Sequence, residues 1–448
     1  MTTPIADFVR KYAASDASRF HMPGHKGISV LGCEALDITE IKGADVLGAA
    51  SGIIAESEAN ASALFGSAHS FYSTEGSTLA IKAMLALIKK KAPCGRTKIL
   101  AARNVHKAFI YACALLDIDV EWLYPTEFTH LCACKIRAEE LEAALKEASE
   151  LPSAVYITSP DYLGNLADIK GLSAVCHSFG LPLLVDNAHG AYLAFLEGSR
   201  HPLAQGADMC CDSAHKTLPV LTGGAYLHIS KGYDAPSVNR IRNAISLFAS
   251  TSPSYLILQS LDMCNAYLSG DYGERLKECI EKIRRLKSRL SALGFPALSD
   301  TEELKLVFSK QACGYSGEEL AAHLSKYNIE AEFADSDFLV LMVTPENTDR
   351  DLDRVLQAFS ALPKKERGNT PLPETAKPKA LLSIRDAVFA DSEIIPCGQA
   401  EGRICASPTV SCPPAVPIVM SGELIDKATV KLLLYYGIEE IEVIKKAL

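Results

Sequence analysis

The chain has 448 residues, of which 48% are hydrophobic and 22% charged, and its formal net charge is −9. This length and composition predict a folded protein of about two to four domains. The negative charge disfavours nucleic acid as a partner. No apolar run approaches the roughly 18 residues needed to span a membrane, and the first twenty residues lack the apolar core of a signal peptide. The sequence therefore predicts a cytoplasmic protein.

The 14 cysteines are scattered along the chain. They form no C-x-x-C pair, and none belongs to a cysteine–histidine cluster with the spacing of a zinc site. We therefore expect free thiols in a reducing compartment and no metal centre.

Residues from about 75 to 230 alternate between strand-like and helix-like patterns. The strand-like runs are "KILAARNV", "VEWLYP", "SAVYITSP", "LPLLVDNAH", "ADMCCDSAH" and "GGAYLHIS". Alternation of this kind predicts βαβ units and a largely parallel sheet. Ligands of such sheets bind beyond the carboxyl ends of the strands. The polar tails of these runs are therefore the places to search, namely 104–106, 159–162, 186–189 and 213–216.

The second half of the chain begins with a long amphipathic helix at 273–294. Its apolar face is formed by Leu276, Ile280, Ile283, Leu290 and Leu293. A smaller α/β unit follows, in which Ser316 with Glu319 forms a capping box and Thr348 can cap another helix. The predicted division is an N-terminal segment 1–50, a large domain 51–272, a connecting helix with a small α/β domain 273–362, a linker 363–380, and a C-terminal domain 381–448 with two helices and a final strand.

Lys216 stands in "DSAHKTLP", at the end of a strand-like run. Burying an ammonium without a partner is costly, so this lysine is either a surface residue or chemically used. Its chemical use would be a Schiff base formed by its amine. Asp186 ends another strand-like run and has two readings as well. It is either the N-cap of a following helix or the carboxylate that faces a cationic ring nitrogen.

Gly76, Ser77 and Thr78 directly precede a strong helical pattern. Free backbone N–H groups, two hydroxyls and the helix dipole predict either a plain cap or a site for one phosphate. His106, at another strand tip, is either a structural histidine or a ring that stacks on a flat ligand. Together these features predict pyridoxal phosphate (PLP) as the cofactor.

Several motifs resemble those of the short-form Orn/Lys/Arg decarboxylases, PLP-dependent enzymes with the aspartate aminotransferase fold (fold type I). They occur in the family's order along nearly the whole chain: "FHMPGHKG", "LDITE", "DNAHGAYLAF", "SAHKTLPVLTGGAYLH" and "STSPSYLILQSLD". The resemblance implies decarboxylation of lysine, ornithine or arginine to an amine and CO2, which would place the chain in polyamine biosynthesis. It also implies a large PLP-binding domain followed by smaller C-terminal α/β units, and a homodimer with composite active sites.

The resemblance assigns a role to each candidate residue. Lys216 holds PLP as a Schiff base, Asp186 pairs with the pyridine nitrogen, and His106 stacks on the ring. The remaining cofactor contacts are Gly76, Ser77, Thr78, Ala188, His189, Ser213 and His215, with Thr251 or Ser252 reaching the neighbouring subunit's phosphate. The candidate substrate contacts are Glu423, Asp161 and Tyr162.

Some positions depart from the family pattern. Ile81 stands where an asparagine is favoured, Ala108 where a serine is common, and Gly223 where a glutamine is common. The family's proline-rich element near the substrate pocket is replaced by "SCPPAVPIVMSGE", which ends at Glu423. The cofactor chemistry is therefore expected to be intact, whereas the substrate stays open.

Two alternatives remain at the level of sequence. Another fold-type I PLP enzyme, such as a cysteine desulfurase or an aminotransferase, shares parts of this pattern. A PLP-binding protein without catalysis is the other alternative, because the terminal element is altered.

Overall fold

A computed structural model describes residues 1–89, 97–126, 130–234, 236–366, 377–408 and 415–446. The chain forms two compact units, the first comprising Met1–Ala92, Glu150–Ser159 and Asp168–Glu274, and the second Pro93–Ser149, Pro160–Ala167 and Arg275–Leu448. Most of the predicted linker lies outside the described residues, and the domain boundaries stay predictions. Among the described residues, no helix combines the length and apolarity needed to cross a membrane.

Helices and strands alternate along much of the chain. The α-helices are α1 Pro4–Ala13, α2 Ile53–Phe65, α3 Gly76–Ile88, α4 Lys107–Leu116, α5 Ala138–Glu147, α6 Ile169–Ser178, α7 Ala214–Thr217, α8 Val238–Ser246, α9 Tyr255–Leu268, α10 Tyr272–Leu293, α11 Lys310–Cys313, α12 Gly317–Ser325, α13 Asp349–Ser360, α14 Ile384–Val388 and α15 Lys427–Tyr435. The strands are β1 His69–Ser73, β2 Thr97–Ala102, β3 Ile118–Leu123, β4 Ala154–Thr158, β5 Leu183–Asp186, β6 Met209–Asp212, β7 Ala225–Ile229, β8 Lys305–Ser309, β9 Phe333–Ala334, β10 Phe338–Met342, β11 Ser392–Pro396 and β12 Glu440–Ile444. All six strands expected between 75 and 230 are confirmed.

The first unit contains five strands in the order β1-β7-β6-β5-β4. β4, β5 and β6 run parallel, whereas β7 pairs antiparallel with both β6 and β1. Every residue of β5, β6 and β7 is buried, as expected for strands covered on both faces. In the register, Thr158 lies opposite Asp186, and Asp186 opposite Cys211. The polar residues that end β4, β5 and β6 therefore gather at one edge.

The second unit contains a parallel pair, β2 and β3, and two small antiparallel sheets, β8-β10-β9 and β11-β12. The predicted capping box of α12 is confirmed: Ser316 Oγ accepts from the Glu319 N–H at 3.1 Å, and Glu319 Oε2 accepts from the Ser316 N–H at 2.9 Å. Thr348 N–H likewise donates to Asp351 Oδ2 at 2.8 Å at the start of α13. The C-terminal region has the two helices and the final strand that the sequence predicts.

The apolar face predicted for α10 is largely confirmed. Leu276, Ile280, Ile283 and Leu290 are buried, and Leu293, at the end of the helix, is only partly buried. Gly294 follows with φ +98°, the left-handed conformation that ends helices at glycine.

Candidate active site

Lys216 lies in the one-turn helix α7 and not at a strand end, which corrects the sequence-based placement. β6 ends at Asp212, and the chain is helical from Ala214 to Thr217. The helix stops because Pro219 favours an extended conformation for Leu218, which has φ −120° and ψ 156°. The Lys216 side chain is half-buried, and its Nζ lies 2.9 Å from Nε2 of His189. This amine is therefore held beside an imidazole at the edge of the sheet.

Two glycines shape the loop that returns from α7 to β7. Gly223 has φ +97°, and a Cβ there would lie 2.9 Å from the carbonyl oxygen of Thr74. A Cβ on Gly224 would lie 2.3 Å from Val220 Cγ1. The Gly224 carbonyl accepts from the His215 N–H at 3.2 Å and lies 3.0 Å from its Nδ1. The positive φ and the close approach to Thr74 therefore favour glycine at position 223, where the family commonly has a glutamine. One ring nitrogen of His215 contacts the Gly224 carbonyl of this loop.

The Asp186 carboxylate is buried at the end of β5. Oδ2 accepts from Tyr156 Oη at 3.3 Å, and Oδ1 accepts from the Ala188 N–H at 3.1 Å and from Cys211 Sγ at 3.6 Å. In the described chain no α-helix starts directly after Asp186, so the helix N-cap reading is wrong. The described donors to this carboxylate are a hydroxyl, an N–H and a thiol, and none of them carries a charge.

Two predicted phosphate ligands meet at the start of α3. Ser213 Oγ donates to Ser77 Oγ at 2.8 Å. Gly76 is different, because its N–H donates to the Gly223 carbonyl at 2.7 Å. The expectation of a free Gly76 N–H is therefore wrong. What remains of the predicted anion site is a set of hydroxyls and the N-terminal end of a 13-residue helix, where Thr78 also lies, and its role in binding phosphate stays a prediction.

Thr251 and Ser252 are exposed in the single chain and lie beside the same helix start. The Ser250 N–H donates to Glu75 Oε1 at 2.7 Å, which ties this segment to the residue before Gly76. The helix predicted to follow is α9, and Ser254 Oγ caps it by accepting from the Ile257 N–H at 3.4 Å.

His106 belongs to the second unit and caps α4. Its Nδ1 accepts from the Ala108 N–H at 3.1 Å, so the neutral ring carries its proton on Nε2. This contact fits the structural reading, and the stacking role stays a prediction. Ala108 is itself buried, which leaves little room for a serine hydroxyl.

Asp161 and Tyr162 lie beside a buried cation that the sequence-based search missed. Asp161 accepts from Asn165 twice, at Oδ1 from the N–H (2.9 Å) and at Oδ2 from Nδ2 (2.7 Å), and burial raises its pKa to about 6. Lys305 Nζ donates to the carbonyls of Asp161 (3.0 Å) and Tyr162 (3.2 Å). Tyr162 Oη donates to Glu332 at 2.6 Å. Asp161 and Tyr162 already have partners within the protein, so their role in binding substrate stays a prediction. The sequence feature that could have revealed Lys305 is a lysine inside the apolar run "LKLVFS".

Glu423 is buried and forms an ion pair within the second unit. Its Oε2 lies 2.7 Å from Arg103 Nη2 and accepts from the Met420 N–H at 2.7 Å. Burial raises the pKa of Glu423, and this effect outweighs the lowering by Arg103. Arg103 also lies over the Trp122 and Tyr124 rings. To bind a substrate cation, Glu423 would have to share or release Arg103, a partner 320 positions away that no local sequence pattern indicates.

The sequence-based search also missed the buried carboxylate of Asp212, although "CCDSAH" places a charged residue at the end of an apolar strand. Its side chain accepts from Asn187 Nδ2 at 2.6 Å and lies 3.0 and 3.2 Å from Nε2 of His201 and His228. Burial alone would raise the pKa of Asp212, but the two histidines outweigh burial and hold this pKa well below its usual range. The carboxylate is therefore ionised and has partners on three sides.

Residues 3–311 match the family described as "Orn/Lys/Arg decarboxylase, major domain", and residues 370–442 match "Orn/Lys/Arg decarboxylase, C-terminal domain". The chain belongs to the Orn/Lys/Arg decarboxylase family. The predicted resemblance is thereby confirmed, and the chain is an amino-acid decarboxylase.

Several curated relatives align along nearly their whole length. An "Arginine decarboxylase" of Bacillus subtilis (strain 168) is 29% identical over 96% of this chain and 93% of the relative. An "Arginine decarboxylase" of Halalkalibacterium halodurans is 30% identical over 95% and 91%. Among solved structures, the lysine decarboxylase LdcF of Francisella novicida superposes with a TM-score of 0.81 at 17% identity, over 99% of this chain and 81% of that one. The predicted fold class is confirmed.

Proposed function

We propose that this decarboxylase acts on a basic amino acid, with arginine the first candidate, and uses PLP bound at the edge of the first unit's sheet. The observation that carries the proposal is the convergence, at one edge, of the Lys216 amine, the Asp186 carboxylate and the Ser77–Ser213 hydroxyl pair. Arginine is favoured by the relatives named for it, which align over more than 90% of their length. The "Constitutive lysine decarboxylase" of Escherichia coli aligns over only 49% of this chain.

The residues present fit PLP in their chemistry. Ser77, Thr78 and Ser213 would hold the phosphate with hydroxyls at a helix N-terminus. Lys216 would bind the aldehyde carbon through its amine, and Asp186 would face the ring nitrogen with a carboxylate whose described donors are neutral. Ala188 would pack under the ring, and the stacking role of His106 stays a prediction from the family resemblance.

Bound PLP supplies an electron sink for the electron pair that remains on Cα when CO2 departs. Asp186 keeps a proton on the ring nitrogen, because its buried charge is best matched by a cation. Lys216 Nζ would hold the cofactor until the substrate amine replaces it, and would then be available to supply the proton that Cα takes up. His189 Nε2, 2.9 Å from Nζ, is placed to take a proton from that amine and so keep it nucleophilic.

A panel of L-arginine, L-lysine and L-ornithine tests the proposal by CO2 release and identification of the amine. We expect turnover of arginine above the other two. Conversion of cysteine to alanine and a sulfane sulfur atom, which an added thiol reductant releases as sulfide, would instead indicate a desulfurase. A "NIFS-LIKE PROTEIN" shares the fold and superposes with a TM-score of 0.56 over 71% of this chain. PLP binding without any product would indicate a protein that has lost catalysis. A diamine or its precursor as product would support a place in polyamine synthesis.

The working unit that we propose is a cytoplasmic homodimer with shared sites. An N-terminal segment exposes several large apolar side chains in the single chain, with Phe20 at 96%, Val30 at 81% and Leu31 at 86%. Exposure of this extent in one segment is typical of a surface that another chain covers. The exposed hydroxyls of Thr251 and Ser252 would complete the partner's phosphate site across the same interface.

Complementation tests the shared site. One inactive parent is Lys216→Ala, and the other carries Thr251→Ala with Ser252→Ala. About half of the dimers in an equal statistical mixture are mixed, and each has one intact site of two, so about a quarter of wild-type specific activity should return. Absence of recovery, with subunit exchange verified by two affinity tags, would contradict shared sites.

A further inference from the structure

The buried Asp212 carboxylate joins two strand ends that carry proposed cofactor residues. Asp212 ends β6 directly before Ser213, on the way to Lys216, and Asn187 directly follows Asp186 after β5. Asn187 Nδ2 donates to Asp212 Oδ1 at 2.6 Å. A hydrogen bond to an ionised carboxylate is short and about twice as strong as a neutral one. This bond therefore links the segment of Asp186 to the segment of Lys216.

The other oxygen of Asp212 is anchored away from that edge. Oδ2 lies 3.0 Å from His201 Nε2 and 3.2 Å from His228 Nε2. Nδ1 of His228, in β7, lies 2.7 Å from Ser70 Oγ in β1. All these residues are buried. One oxygen of the carboxylate thus contacts His201 and lies close to His228 of β7, and the other holds Asn187.

Asn187 has little freedom to move on its own. Its N–H donates to the Cys211 carbonyl at 3.0 Å, and its own carbonyl accepts from the Gly190 N–H at 2.8 Å. A Cβ on Gly190 would lie 2.0 Å from Asn187 Oδ1, so the amide packs directly against that glycine. A displacement of Asp212 would therefore move the turn that starts at Asp186.

We propose that Asp212 is a positioning residue, which sets through Asn187 the geometry in which Asp186 and Lys216 hold the cofactor. The proposal rests on the proposed function, since it concerns the same PLP site. A purely structural role predicts a loss of stability alone. A positioning role also predicts weaker PLP binding and an altered pH at which the visible absorption of the bound cofactor changes.

The test is a double-mutant cycle of Asn187→Ala and Asp212→Ala, with PLP affinity measured by titration of the cofactor-free protein. Asn187→Ala leaves Asp212 with both histidines, so this variant should fold, and its Kd for PLP should rise roughly 10- to 100-fold. Asp212→Ala should raise the Kd at least as much, and the double variant should be no worse than Asp212→Ala, because both changes break one link.

Asp262→Ala is the matched control. Asp262 is equally buried in the same unit and accepts from the N–H groups of Ile5 and Ala6, each at 2.9 Å, and from Ser57 Oγ at 2.5 Å. Its loss should lower the Tm and change the Kd for PLP less than about twofold.

An unchanged Kd in Asn187→Ala, or strictly additive effects in the cycle, would overturn the positioning role. Wild-type protein that binds no PLP would instead contradict the proposed function. If Asp212→Ala does not fold, Asn187→Ala decides the question alone.

Discussion

Lys216 in the first unit and Lys305 in the second both lie next to an apolar strand, the first shortly after β6 and the second at the start of β8, yet their surroundings differ. Lys305 is completely buried, and its Nζ donates to two backbone carbonyls and lies 3.7 Å from Glu302 Oε1. Lys216 is half-buried and has an imidazole nitrogen at 2.9 Å. The first arrangement surrounds a buried ammonium with fixed partners, whereas the second leaves a partly exposed amine beside an imidazole.

The carboxylates repeat this contrast. Glu423 is paired with Arg103 at 2.7 Å, so its charge is already matched inside the second unit. Asp186 receives a hydroxyl, an N–H and a thiol, all neutral. A buried charge with an internal counter-ion is already compensated and is costly to separate from its partner, whereas a carboxylate with neutral donors at the carboxyl ends of the strands is suited to an incoming cation. The following predictions test this distinction.

The largest effect is expected for Lys216→Ala, which should lower kcat/KM by about 10,000-fold or more because the covalent link to PLP is lost. Borohydride reduction followed by peptide mapping should place the pyridoxyl group on Lys216 in the wild type. A pyridoxyl group on another lysine would show that Lys216 does not bind PLP, and the contrast between Lys216 and Lys305 would no longer hold. Lys326→Ala, an exposed lysine, is the control for loss of a cation.

Asp186→Asn should lower kcat by roughly 100- to 1,000-fold with a smaller change in KM, because an amide does not keep the ring nitrogen protonated. PLP should still bind, and steady-state kinetics together with the absorption spectrum measure both effects. A kcat close to that of the wild type would show that Asp186 serves only the turn at Ala188.

Lys305→Met should lower the free energy of unfolding by about 3–5 kcal/mol, because the substitution breaks a buried charged cluster. The pKa of Lys305 is lowered by burial, so its ammonium depends on these partners. Urea unfolding measures the loss, and Lys326→Met serves as the exposed control. A variant of normal stability that binds PLP poorly would mean that Lys305 belongs to the site instead.

The pH dependence of stability should change in Asp161→Asn. The pKa of Asp161 rises from 3.8 to about 6 on folding, so the folded state favours the protonated acid. Its contribution is present below pH 3.8 and is lost as pH rises through about 6, a change of about 3 kcal/mol. Urea unfolding between pH 4 and 7.5 should show this slope in the wild type and not in the variant. Asp168→Asn, at the exposed cap of α6, should keep the wild-type slope.

The smallest effect is expected for Glu423→Gln, with a loss of about 1–3 kcal/mol in the free energy of unfolding, since Arg103 loses its charged partner. The KM for arginine should change less than about twofold. If KM rises strongly while stability is unchanged, Glu423 binds the substrate cation after all, and the contrast with Asp186 disappears.

Local features of this protein follow from the sequence. The alternation of apolar strands and amphipathic helices predicts the strands β2 to β7, and the Ser316–Glu319 spacing predicts a capping box. Both patterns depend only on residues that are close together in sequence. The position of Lys216 in "SAHKTLP" likewise predicts its chemistry, although the polypeptide there forms a helical turn instead of a strand end.

Partners distant along the chain were decided by the tertiary structure. The Gly223 carbonyl accepts a hydrogen bond from the N–H of Gly76, and Arg103 pairs with the carboxylate of Glu423, although 320 positions separate Arg103 and Glu423. Asn187 likewise meets Asp212 only because β5 and β6 lie side by side. Sequence identifies which groups carry charge or hydrogen-bonding capacity, but the packing of strands and loops selects the partner that each group receives. That selection separates a buried charge that stabilises the fold from one that is left for chemistry.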